Sequence, residues 1–207
     1  MSREVILVHG LWVPALVMTP LAARLQAAGF RCHLFSYHGR GRPLQAHAER
    51  LARTARGIGP AHFVGHSLGG LVVLDTLLRH PETSAVNVVL LGTPARGNFA
   101  GRRLAHHGWG RWFLGASEPL WREGRAARWS RPEPLGVVAG TVPIGLGRLF
   151  GALPGPNDGV VRVEETEVAG MRERIVLPVG HSTMLLSARV AAQVQSFCTH
   201  ARFTVPA

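Results

Sequence analysis

The sequence predicts a single α/β domain built on a parallel, doubly wound sheet, and three observations carry the prediction. Short continuous apolar runs alternate with helical patterns of ten or more residues, the rhythm of strand, crossover helix, strand. The runs Glu4–Val8, Ala85–Leu91 and Leu135–Gly140 lack the in-out alternation of a half-solvated sheet, which marks strands buried on both faces. A length of 207 residues with 46% hydrophobic content suits one domain with a substantial core.

Taken in order, Glu4–Val8 is the first strand and opens into His9-Gly10-Leu11-Trp12. The spacing of Leu16, Leu21, Leu25 and Ala28 predicts a helix that Gly29 stops, and Phe30–Phe35 is the next strand. Residues 36–43 form a loop of turn residues, and Leu44 to Arg56 carries a second helical pattern through Ala48, Leu51 and Ala55. Ala61–Val64 is a third strand, followed by a helix from Leu71 to Leu78 that ends at His80-Pro81. Ala85–Leu91 runs into Gly92-Thr93-Pro94. Residues 95–134 break the alternation: four of the five tryptophans fall there, interleaved with arginines. That composition suits a helical lid or cap with an apolar underside, or a peripheral membrane contact through residues 99–131; packed helices with a basic outer face fit it equally. Leu135–Gly140 resumes the sheet, a Gly/Pro-rich loop leads to Asp158-Gly159, Ile175 to Val179 is the last strand, and Ser182 to His200 is a closing helix.

Composition excludes several classes. The formal charge is +11, yet all 23 basic residues are arginines scattered along most of the chain, so no block marks a specific nucleic-acid footprint. Apolar runs stay well short of the roughly 20 residues of a membrane-spanning helix. The first residues enter a strand at once, without the form of a secretory signal, which leads to the expectation of a cytoplasmic chain. Cys32 and Cys198 sit in apolar segments and read as small hydrophobes, so neither a disulfide framework nor a metal site is expected. No cofactor is implied, and the oligomeric state is not encoded in any motif.

The chemistry gathers on Gly65-His66-Ser67-Leu68-Gly69, a G-x-S-x-G pattern at the point where a strand gives way to a helix. A turn that tight strains the serine backbone and leaves no room for a Cβ two residues to either side. A serine nucleophile needs donors for the negative oxygen of its tetrahedral intermediate, each worth roughly 3 kcal/mol in the transition state. The backbone N–H groups of Leu68 and of Leu11, after His9-Gly10, hold the expected positions. Asp158 is the acid candidate, because the only other aspartate, Asp75, lies inside the nucleophile helix; Glu164 or Glu165 is the substitute. His181 follows Ser67 and Asp158 at the end of a predicted strand, which makes it the candidate base.

With these pieces the chain resembles the α/β-hydrolases of the lipase and esterase group over almost its whole length. Gly65-His66-Ser67-Leu68-Gly69-Gly70 and the order Ser67, Asp158, His181 carry the resemblance; His9-Gly10, Gly92-Thr93-Pro94 and Asp158-Gly159 add to it. The resemblance implies a reduced α/β-hydrolase fold, a mostly parallel sheet of about six strands with helices on both faces, because the leading strands of many members are missing before His9. It implies one domain over 1–207 with 95–134 as a lid insertion. It also implies acylation of Ser67, an oxyanion hole at Leu11 and Leu68, and water activated by His181 to release the acid. The substrate class it implies is a small-molecule or lipid ester, or a thioester, with a small to medium apolar acyl group. An acyltransferase on the same triad, or a non-catalytic ligand-binding member of the fold, is the alternative. A serine in the motif argues against the dehalogenases and epoxide hydrolases of that fold, which have aspartate there.

Overall fold

A computed structural model describes residues 2–10, 14–38, 43–99, 128–144 and 153–204. Most of the expected cap, residues 100–127, and Leu11 lie outside the described residues.

Six parallel strands form one sheet: β1 (Glu4–Val8), β2 (Arg31–Phe35), β3 (Ala61–His66), β4 (Ala85–Leu91), β5 (Leu135–Gly140) and β6 (Glu173–Leu177), in the order β2-β1-β3-β4-β5-β6. Four helices cover it among the described residues: α1 (Thr19–Ala27), α2 (Leu44–Ile58), α3 (Leu68–Arg79) and α4 (Ala188–His200). The continuous apolar runs have the meaning the sequence predicts. In β1, Val5 and Leu7 pack with Leu21 and Leu25 of α1 and Val190, Val194 and Phe197 of α4. The intervening Ile6 and Val8 pack with Leu51 of α2 and Val72, Val73 and Leu77 of α3. Period two along the strand thus divides one apolar run between two cores, and helices lie on both faces.

Local chemistry sets the element ends. Pro20 falls in the first turn of α1, where its missing N–H costs no helical hydrogen bond. The closing helix starts later than the sequence reading expects. Ser187, not Ser182, caps α4, its Oγ accepting from the Val190 N–H at 3.3 Å, while Thr183–Leu185 forms a separate 3-10 turn. That turn keeps residues 180–182 in a loop instead of a helix. The last strand starts earlier, at Glu173, because Gly136 and Val137 of β5 pair with Glu173 and Arg174.

The 95–134 segment has anchored ends. At its start, the Arg96 N–H donates to the Glu165 carbonyl (3.0 Å), the Asn98 side-chain amide to the Val160 carbonyl (2.9 Å) and the Phe99 N–H to the Glu165 carboxylate (2.6 Å). At its other end the Trp129 N–H donates to the Ala169 carbonyl (2.7 Å), and the Trp129 ring is buried. Arg131 donates to the Leu77 (2.8 Å) and Thr83 (2.9 Å) carbonyls just where α3 ends, a cation among the unpaired carbonyls of a helix C-terminus.

The connection from β1 runs outward to β2, whereas β3 leads in the opposite direction to β4 and β5. Between β1 and β3 the winding reverses, and a crevice opens beyond the carboxyl ends of the strands at such a point. The register sets Val8 beside Gly65, His66 beside Leu91 and Gly140 beside Leu177, so the loops that follow these strands emerge along one edge.

Candidate active site

Ser67 stands between β3 and α3 with φ 54° and ψ −124°, one of two non-glycine residues at positive φ among the described residues. Such a conformation costs of order 1–3 kcal/mol and persists only where the surroundings enforce it. Here they do. The Ser67 N–H is held by the Leu91 carbonyl at 2.9 Å, and the Gly70 N–H donates back to the Ser67 carbonyl at 3.0 Å. A Cβ on Gly65 would stand 2.5 Å from the Gly70 Cα, and one on Gly69 would strike the carbonyls of Val8 and His9. The two glycines therefore let β1, β3 and the first turn of α3 meet. Gly70 extends the pattern by one residue, since a Cβ there would collide with the Thr93 hydroxyl. Leu68 is the first residue of α3, so its N–H belongs to the unpaired donors at the positive end of a helix.

Asp158 and His181 meet on the loops that flank β6. The His181 Nδ1 lies 2.7 Å from Asp158 Oδ2, and both side chains are buried. The second carboxylate oxygen, Oδ1, accepts from the N–H groups of Val160 (2.9 Å) and Val161 (2.7 Å), and the His181 N–H donates to the Asp158 carbonyl at 2.8 Å. With Oδ1 taken up by the two backbone N–H groups, Oδ2 accepts from the His181 Nδ1–H, which places the ring proton on Nδ1 and leaves the lone pair on Nε2. Gly92, at φ 53°, lies against this pair: a Cβ there would be 3.0 Å from Asp158 Oδ2 and 3.1 Å from His181 Nδ1. The substitute acids are committed elsewhere. Glu165 accepts from the N–H groups of Phe99 and Arg162 (2.8 Å), and Glu164 pairs with the Arg162 guanidinium at 2.6 Å.

The end of β1 is fixed by a histidine. The His9 Nε2 accepts the Tyr37 N–H at 3.2 Å, so the ring proton is on Nδ1 and donates to the Gly10 carbonyl at 2.7 Å. Tyr37 closes the clamp by stacking on the His9 ring at 4.4 Å and donating its hydroxyl to the His9 carbonyl at 2.9 Å. Burial lowers the His9 pKa, which keeps this arrangement neutral. Gly10 then runs so close to the nucleophile that a Cβ on it would stand 3.1 Å from Ser67 Cβ.

His66 is the contact that the sequence does not disclose. Its Nε2 donates to the His181 carbonyl at 3.0 Å and its ring lies 4.8 Å from the His181 ring. Burial, and then the adjacent His181, push its pKa down to about 3. Among the described residues no group of three or more His, Cys, Asp or Glu side chains could hold a metal ion, and no helix is long and apolar enough to cross a membrane. Cys32 and Cys198 are both free thiols, and burial raises the pKa of each.

A serine on a strained strand-to-helix turn, with a histidine–aspartate pair on loops at the same end of a parallel sheet, marks the class of α/β proteins that carry a nucleophile elbow. The profile described as "Alpha/beta hydrolase family" matches residues 5–193, and the chain belongs to that family. Solved structures share the fold at low identity. A Bacillus licheniformis lipase in its propeptide form superposes with TM-score 0.81 at 18% identity, over 100% of this chain and 52% of the other. Its mature form gives 0.73 at 18% identity, over 98% and 93%. A thermophilic esterase from Thermogutta terrifontis gives 0.70 at 17% identity, over 96% and 90%. The chain thus spans about half the length of the propeptide-form lipase and nearly all of the mature one.

Proposed function

We propose that this chain is a serine hydrolase of carboxylic or thio esters with small to medium apolar acyl groups, acting through an acyl-enzyme at Ser67. The observation that carries the reading is the hydrogen-bonded His181–Asp158 pair in the same loop cluster as a serine held at φ 54°. In this reading His181 Nε2 takes the Ser67 proton as Oγ attacks the carbonyl carbon. The oxyanion is met by the N–H groups of Leu68 and Leu11, and His181 returns the proton to the departing alcohol, or thiol where the substrate is a thioester. Water activated by the same nitrogen then releases the acid. Asp158 keeps the ring in the tautomer this needs and stabilises the imidazolium between the two transfers.

Single-domain organisation with residues 95–134 as a cap belongs to the same proposal, as do a cytoplasmic setting and an apolar ester as partner. The structural relatives, a lipase and an esterase, agree with the substrate class. The test is turnover of nitrophenyl esters of graded acyl length by wild type and Ser67→Ala, with fluorophosphonate labelling beside it. Wild type turns over and is labelled on Ser67, whereas Ser67→Ala retains less than about 1% of the activity. Activity that survives in Ser67→Ala sinks the assignment.

A further inference from the structure

His66 occupies the variable position of the serine motif, and its environment gives it a task. The ring stands at the junction of three loops. It is joined by one peptide bond to Ser67, it donates from Nε2 to the His181 carbonyl at 3.0 Å, and its Nδ1 lies 3.3 Å from where a Cβ on Gly10 would stand. A carbonyl oxygen only accepts, so Nε2 carries the hydrogen and Nδ1 is a lone pair. That lone pair is buried with no hydrogen-bond partner. An unpaired buried acceptor costs about 1–3 kcal/mol, so on this ring the hydrogen bonding is all on the Nε2 side.

The His181 main chain is thereby held from both sides. Its N–H is bound by the Asp158 carbonyl at 2.8 Å and its C=O by His66. Asp158 also fixes the ring's tautomer and rotation, but it sits on a different loop from the nucleophile. The tie from His66 is the one that refers the His181 backbone to Ser67 itself, through one hydrogen bond and one residue. The groups facing the His66 ring are His181, Asp158 and His9, so a positive charge on it would oppose the imidazolium that His181 must become.

We propose that His66 is a positioning residue for the base: its Nε2–H tethers the His181 loop to the nucleophile turn, so that base and nucleophile keep one spacing. The proposal rests on the reading of Ser67 and His181 as nucleophile and base. Three variants separate tether from packing. His66→Phe keeps a ring and removes the donor, His66→Gln keeps an amide donor of similar reach, and His66→Asn has an amide too short for the carbonyl, which serves should the Phe variant fail to fold.

Two readouts are taken on each folded protein: kcat and KM on a nitrophenyl ester, and the downfield proton resonance of the His181–Asp158 hydrogen bond in the free protein. The expected result is a kcat lower by about 10- to 100-fold in His66→Phe and His66→Asn with KM within about threefold, since misplacement of a base costs turnover more than binding. His66→Gln recovers kcat to within about fivefold of wild type, and its downfield resonance stays sharp while those of the other two broaden. Equal losses in His66→Gln and His66→Phe, or a sharp resonance in His66→Phe, overturn the tether. Should wild type neither cleave esters nor react with a fluorophosphonate, the hydrolase reading fails by itself and the resonance alone decides on the tether.

Discussion

Acidification provides a sharp test of the buried, neutral His66. Its pKa falls from 6.5 to about 3 on folding, through burial first and His181 second. Between those two values the unfolded chain binds a proton that the folded chain does not, so stability rises with pH across that window. The contribution is fully present above the unfolded value and is lost as pH drops below it. Going from about pH 7.5 to about pH 5, the loss from this one ring is about 2 kcal/mol, and any folded value below about 4 gives the same figure. His9 and His62, whose pKa values burial also lowers, act in the same direction. So do Glu4 and Glu133, whose lowered carboxyls lose their contribution as pH falls. These other groups are common to wild type and His66→Gln and cancel in the difference between them. Urea unfolding of both proteins at the two pH values is the assay. With m about 2 kcal/mol/M, the wild-type midpoint moves down by about 1 M more than that of the variant. Equal shifts in the two proteins would refute a neutral His66 sealed in the fold.

Asp158→Asn should lower kcat by about 10⁴-fold with a smaller change in KM, because an amide in place of the carboxylate favours the wrong His181 tautomer; steady-state kinetics on a nitrophenyl ester reads it. Loss of less than tenfold would move the acid role away from Asp158. Gly69→Ala drives a methyl into the carbonyls of Val8 and His9 and should cost about 2–3 kcal/mol, read as a lower urea midpoint.

What the sequence makes legible follows from how far each signal reaches. The apolar runs of β1, β3, β4 and β5 are bounded by their own residues, and the six-stranded parallel sheet they predict is the one observed. The start of α4 escapes that reading because Ser182 and Ser187 are equally good caps as residue types, and the choice falls on Ser187 through a 3-10 turn at Thr183–Leu185. Ser67, Asp158 and His181 are candidates raised by motif, chain order and a shortage of aspartates. Asp158 does share a hydrogen bond with His181, whereas Leu11 and residues 100–127 fall outside the described residues. The clasp of His66 on the His181 carbonyl spans 115 positions and engages a backbone atom, so no residue identity announces it. Glu165 was legible only as a spare carboxylate; its engagement with Phe99 and Arg162 depends on where the chain returns.

That engagement has an evolutionary side. Glu165 grips residues 96–99 and, at the far end, Trp129 and Arg131 grip Ala169 and the carbonyls at and just past the end of α3. Both grips close on the scaffold through residues outside 100–127. The pair is a socket: substitutions confined to 100–127 leave every residue of both grips unchanged. Under the proposed function, the range of esters admitted then becomes inheritable separately from the chemistry performed on them.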